Sequence, residues 1–167
     1  MRVYVPATLP MLATWLDAGS LTAPRARAVT PAVREWYSGG DEEELEFSAL
    51  LDAATDSLGL LAEDGAAPRR RLVLAADAPE GDVRVLGGPL DDEAPTAVEL
   101  AAPLPLAAVV SAHCDEPEAQ EAVRAAVEAL PAARAGDEDA AFVVDGAEDG
   151  DLLWYDAREL RALLSGG

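Results

Sequence analysis

The chain has no isoleucine and only two phenylalanines, so its core must be assembled from leucine, valine and alanine. Leu, Val and Phe together supply 39 of 167 residues. That share lies above the roughly 20% below which a highly charged chain stays disordered. The 50% hydrophobic content overstates the core, because alanine contributes so much of it. A chain near this length buries roughly 68–70% of its unfolded surface, so one folded domain with a modest core is expected over residues 1–167. Lysine and asparagine are missing as well. All three absent residue types have A/T-rich codons, which points to a GC-rich bacterial genome. All twelve basic residues are arginines for the same reason, and no single Arg is read as a chosen bidentate clamp.

A formal net charge of −20 opposes binding to DNA, RNA or anionic lipid, where neutralising phosphate supplies most of the affinity. It suits solubility and a basic protein partner. Arg69, Arg70 and Arg71 are the only basic cluster, too small to offset 32 carboxylates. Cys114 is the single cysteine, so no internal disulfide forms and a reducing compartment is expected. Pro6 falls where a signal peptide would still be hydrophobic, and no run of 18 apolar residues occurs. The expectation is a cytoplasmic protein with no membrane partner.

Local signals divide the chain into short strands and capped helices. Arg2–Val5 reads as a strand ended by Pro6, and Thr8 caps a helix carrying Leu9, Leu12 and Leu16 up to Gly19. Ala28–Thr30 reads as a second short strand, and Thr30-Pro31 starts a helix that stops at Gly39-Gly40. Asp41–Glu44 is a cap with a capping-box Glu44, opening a helix to about Glu63. Two strands follow at Arg71–Ala75 and Asp82–Leu86, and residues 87–96 form a flexible loop. Leu106–Cys114 is an apolar run that fits a strand or a helix; a strand is favoured, leading to a helix that Pro131 stops. Phe142–Val144 and Leu152–Tyr155 read as a hairpin around Asp145–Asp151, with Asp137–Asp139 a solvated loop before it. Asp156 and Glu159 make a second capping pair for a last helix. The interspersed pattern predicts an α+β domain, a mixed sheet with helices packed mainly on one face.

Composition also excludes chemistry. Without lysine there is no Schiff base and no phosphate-loop lysine. One His and one Cys cannot form a multi-His site, a zinc ribbon or an iron–sulfur cluster. No catalytic, cofactor or metal residue is therefore assigned. Ser111, His113 and Asp115 alternate along one strand, roughly 6.6–7 Å apart, too far for a proton relay, and read as a polar strand end and helix cap. Asp145, Asp149, Asp151 and Asp156 approximate a calcium-loop spacing, but Ala147 and the strand context favour a plain turn. The acidic run Asp41–Glu44 with Glu46 could hold Mg²⁺ or a basic partner, or simply start a helix. Two aromatic pairs remain, Trp36-Tyr37 and Trp154-Tyr155. They either pack beneath neighbouring elements or anchor a partner; on a strand, only one of Trp154 and Tyr155 can face the core.

The segments MRVYVPATLPML at Met1–Leu12, AVTPAVREWYSGGDEEELE at Ala28–Glu46, HCDEPEA at His113–Ala119 and DLLWYDAREL at Asp151–Leu160 resemble an actinobacterial family of unknown function. The resemblance implies a source and a compartment but no reaction and no site residues. The expectation is a small acidic interaction module binding a protein with a basic surface through Trp36, Tyr37, Trp154 and Tyr155. The alternative is an enzyme using carboxylates, Mg-assisted, or His113 as a lone base.

Overall fold

A computed structural model describes residues 1–87 and 94–165 and shows an α+β fold. Strand β1 (Arg2–Ala7) leads into helix α1 (Leu9–Ala18), then β2 (Ser20–Leu21) and β3 (Arg25–Ala28). Helices α2 (Pro31–Trp36) and α3 (Glu42–Glu63) follow. Next come β4 (Leu72–Asp77), β5 (Val83–Val85), β6 (Ala97–Leu100), β7 (Leu104–Pro105) and β8 (Val109–Asp115). After them lie α4 (Gln120–Arg134), α5 (Glu138–Glu148), β9 (Leu152–Asp156) and α6 (Leu160–Ser165).

The main sheet has the order β5-β6-β3-β1-β4-β8-β9, while β2 and β7 form a separate ribbon. Every pairing is antiparallel, where a mixed sheet was expected. β3 and β4 flank β1 and both oppose it, so they run parallel to each other without pairing. Helix α3 bridges that gap, which is why the local strand-helix-strand pattern resembles a parallel unit.

Side chains alternate across each strand, and the two faces bury different partners. Val3, Val5, Leu72 and Leu74 pack with Leu12 and Trp15 of α1 and with Leu160 and Leu163 of α6. Tyr4, Val73 and Ala75 meet Ala49, Leu50, Ala53 and Ala54 of α3 on the reverse face. Leu58 and Leu61 then carry α3 onto Val123, Val127 and Leu130 of α4 and Val144 of α5. Most helical residues thus lie on the α3 side. Ser57 ties α3 to two strands: its Oγ donates to Ala7 O (2.7 Å) and accepts from Leu72 N (3.0 Å), fully buried. Ser57→Ala strands both backbone groups and is expected to cost about 1–3 kcal/mol, measured by urea denaturation. A change inside the error of that measurement would show the bridge to be dispensable.

Four caps form where the sequence places them. Thr8 accepts from Met11 N, Thr30 from Val33 N, and Asp41 and Glu44 complete a reciprocal box. Asp156 and Glu159 do the same at a 3₁₀ turn before α6. Gly19 closes α1 at φ 78°, a left-handed conformation suited to glycine.

Several expectations are corrected. Pro6 does not end β1; the β3 register covers only Val3 and Tyr4, so Pro6 sits opposite Val73 with no neighbour ladder to break. The strand expected at Ala28–Thr30 is instead Arg25–Ala28, since Thr30 is committed to capping α2. Arg71–Ala75 and Asp82–Leu86 contain strands β4 and β5, but these are not sheet neighbours. Pro131 lies inside α4, which continues to Arg134 because its packing against α5 holds the last turn despite the missing donor. Phe142–Val144 is helical. Asp137 caps α5 by accepting from Ala140 N (3.0 Å), and Val144 and Ala147 share the face buried against α4. Tertiary packing overrides the β propensity of Phe-Val-Val. The expected hairpin therefore does not form, Asp137–Asp139 is a cap and first turn, and β9 pairs with β8. Of the expected flexible loop at 87–96, residues 88–93 lie outside the described residues. Its C-terminal end is tied down: Thr30 Oγ1 donates to Pro95 O (2.5 Å) and Thr96 Oγ1 to Asp52 Oδ2 (2.5 Å).

Candidate functional site

One cleft gathers side chains from five elements of the fold. The capping box sets the first turn of α3, so Glu43, Glu46, Phe47 and Leu50, three or four residues apart, fall on one helical face. Across from them β8 presents Ser111 and His113, and β9 presents Trp154, the cross-strand partner of His113. Arg2 and Tyr4 of β1 and Ala75 of β4 complete the floor. Together they bound a cleft of 270 Å³.

Its walls are aromatic and its free charge is negative. Phe47 is 57% and Trp154 61% exposed. Arg2 is matched by Asp77, Nε to Oδ1 at 2.8 Å, whereas neither Glu43 nor Glu46 has an ion-pair partner among the described residues. Glu42, next to them, is taken by a two-bond pair with Arg34 of α2 (2.6 and 2.8 Å). Burial, with Glu46 adding to it, pushes the Tyr4 phenol up to about 12. Burial also lowers His113 below its ordinary value, favouring the uncharged imidazole.

Ser111 and His113 do touch, contrary to the expectation from strand spacing: Ser111 Oγ lies 3.3 Å from His113 Nε2. The imidazole reaches back along the strand and closes the gap. Asp115 does not join them, nor does it act as a helix cap. Arg71 donates to its carboxylate from the backbone N, Nε and Nη2 at 2.7–2.9 Å, inside the fold. Ser111 is itself buried, and among the described residues no acid is hydrogen-bonded to His113, so the relay that a hydrolase needs is incomplete there. Cys114 faces the opposite core, its thiol pushed up to about 11 by burial.

The basic run Arg69–Arg71 is not a surface patch. Arg70 and Arg71 are buried, and Arg69 Nη1 donates to Leu61 O and Asp64 O at the end of α3. Arg71 is a bidentate clamp, contrary to the compositional reading. The spaced aspartates are dispersed as well: Asp145 lies in α5, Asp149 ends that helix, and Asp156 closes β9. The turn expected there is a helix end. Among the described residues no group of three or more His, Cys, Asp or Glu is placed to hold a metal ion.

The aromatic pairs split. Trp154 stands over the cleft, while Tyr155 points to the other face and packs, half-buried, against the α1–α6 core. Trp36 is 74% and Tyr37 49% exposed at the end of α2, and neither lines the cleft. Packing beneath neighbouring elements therefore fails for three of the four. Phe47 and Tyr4 escape a reading of the sequence. The signal for Phe47 is the spacing Glu43-Glu46-Phe47, on the helical side away from buried Leu45 and Ala49.

No curated protein and no solved structure matches the chain. A family model matches residues 1–164, from β1 into α6, and through that match, in line with the segments noted above, the protein belongs to a family of unknown function, DUF6912.

Proposed function

We propose that the protein is a non-catalytic interaction module whose cleft docks a protein partner with a basic surface. The carrying observation is that Trp154 and Phe47 stand exposed beside the unpaired carboxylates of Glu43 and Glu46, on a chain of net charge −20. Large exposed aromatics are the residue types that dominate binding hot spots, and their faces attract arginine and lysine. The acidic setting steers such a partner toward the cleft and repels nucleic acid. Trp36 and Tyr37, exposed at the end of α2, offer a second aromatic anchor outside the cleft. The cytoplasm is the compartment we assign, supported by the unpaired, buried Cys114, and no helix is long and apolar enough to cross a membrane among the described residues. The lysine-free composition supports an actinobacterial source.

Affinity capture from the native host tests this reading, with wild-type protein and a Phe47→Ser/Trp154→Ser variant as baits. The expected result is a basic protein held in low-salt buffer, released at high salt, and captured at least about tenfold less by the variant. Equal capture by both baits would refute the assignment of the cleft.

A second reading draws on the Ser111–His113 contact: a hydrolase with His113 as its single base. It predicts turnover of an activated ester that Ser111→Ala and His113→Ala each abolish. The missing orienting acid weighs against it.

A further inference from the structure

The two edges of the main sheet differ sharply. At one end β5 is three residues long and carries Arg84, ion-paired to Glu99 of the adjacent strand. A short, charged edge of this kind resists further pairing. At the other end β9 runs for five residues, Leu152–Asp156, with no charge before Asp156. Among the described residues, no backbone hydrogen bond joins β9 to any element but β8. Half of its backbone donors and acceptors thus face outward. Leu153 and Trp154 are 41% and 61% exposed on opposite faces of this edge.

We propose that β9 is the docking edge for the partner, which adds a cationic segment as an extra strand of the sheet. The idea rests on the reading of the cleft given above and specifies its geometry. A strand laid beside β9 supplies the missing backbone partners, and its alternate side chains project onto the Trp154 face. Those side chains arrive at the mouth of the cleft, where Trp154 and Phe47 offer ring faces and Glu43 and Glu46 offer unpaired carboxylates. Arginine or lysine at alternate positions satisfies both, and apolar residues between them cover Leu153 on the reverse face. A second copy of this chain is the other conceivable occupant. Its charge of −20 opposes that pairing and favours a basic chain.

The experiment uses the full-length protein, labelled with ¹⁵N, and a capped peptide of about nine residues alternating arginine and valine, long enough to span a typical strand. Control peptides carry glutamate for arginine, or N-methyl groups on alternate backbone amides in either register. The arginine peptide is expected to shift and protect the amides of residues 152–156. Blocking the pairing amides by methylation should weaken binding at least about tenfold, Trp154→Ala about tenfold, and Glu43→Gln/Glu46→Gln severalfold. The glutamate peptide should not bind. Equal binding of both N-methylated forms, with the Trp154→Ala effect retained, overturns strand addition and leaves side-chain docking in the cleft. Shifts confined to residues away from β9, or no binding of any peptide, also overturn it; the capture experiment then decides the broader reading on its own. Dimerisation that protects β9 without peptide would assign the edge to a second copy.

Discussion

Asp115→Asn is expected to lower folding stability by about 3–5 kcal/mol, the cost of breaking a buried ion pair by removing one charge. Asp115 is 0%, Arg71 1% and Arg70 2% exposed. The carboxylate takes Nε and Nη2 of Arg71 at 2.9 and 2.8 Å, and its residue's carbonyl takes Nε of Arg70 at 2.8 Å. Arg70 Nη1 already has no partner. Neutralising Asp115 leaves two guanidiniums in the interior with no carboxylate within the cluster. Against a total of about 5–15 kcal/mol for a typical domain, that loss approaches unfolding. The measurement is a urea midpoint at pH 7. Arg71→Met/Asp115→Leu, which removes both charges, should cost less than the single change. A single-variant loss below about 1 kcal/mol would mean that water reaches the pair.

Alkaline pH should weaken the fold in two overlapping stages. Burial raises the Cys114 thiol from 9.0 to about 11 and the Tyr4 phenol from 10.0 to about 12. In both cases the folded state disfavours the anion, so the unfolded chain ionises first. Stability is fully present below pH 9, declines through pH 11 as Cys114 is drawn toward ionisation, and declines from pH 10 to 12 through Tyr4. A rise of this size corresponds to about 2–3 kcal/mol for each group. Chemical denaturation across this range should show Cys114→Ala flattening the lower part and Tyr4→Phe the upper. A wild-type curve that stays level between pH 9 and 11 would contradict the buried-thiol account. The two groups lie on opposite faces of the sheet, one in each core, so their effects should add.

The success and failure of the sequence reading follow the range of the interactions involved. Thr8, Thr30, Asp41 with Glu44, and Asp156 with Glu159 all cap where expected, because each bond closes within three residues. The error at Phe142–Val144 has the opposite cause. Of these β-prone residues Val144, with Ala147, packs on α4, a contact between helices that local propensity does not show. Arg71 and Asp115 looked like part of a basic run and a helix cap; their pairing spans 44 positions and depends on the β4–β8 register. Trp154 could be named from composition alone. Glu46 was marked as part of an acidic run, but its place beside Trp154, with Phe47 and Tyr4, could not be read, since these residues come from α3 and β1.

Charge, the missing catalytic residue types, the α+β class and the starts of α1, α2, α3 and α6 were written in the chain, because composition and caps act locally or globally without regard to path. Strand order, the all-antiparallel sheet, the buried Arg71–Asp115 pair and the aromatic cleft were decided by tertiary structure. Each depends on which distant segments share a face of the sheet, and side-chain alternation conveys that only when the neighbouring strand is already in place.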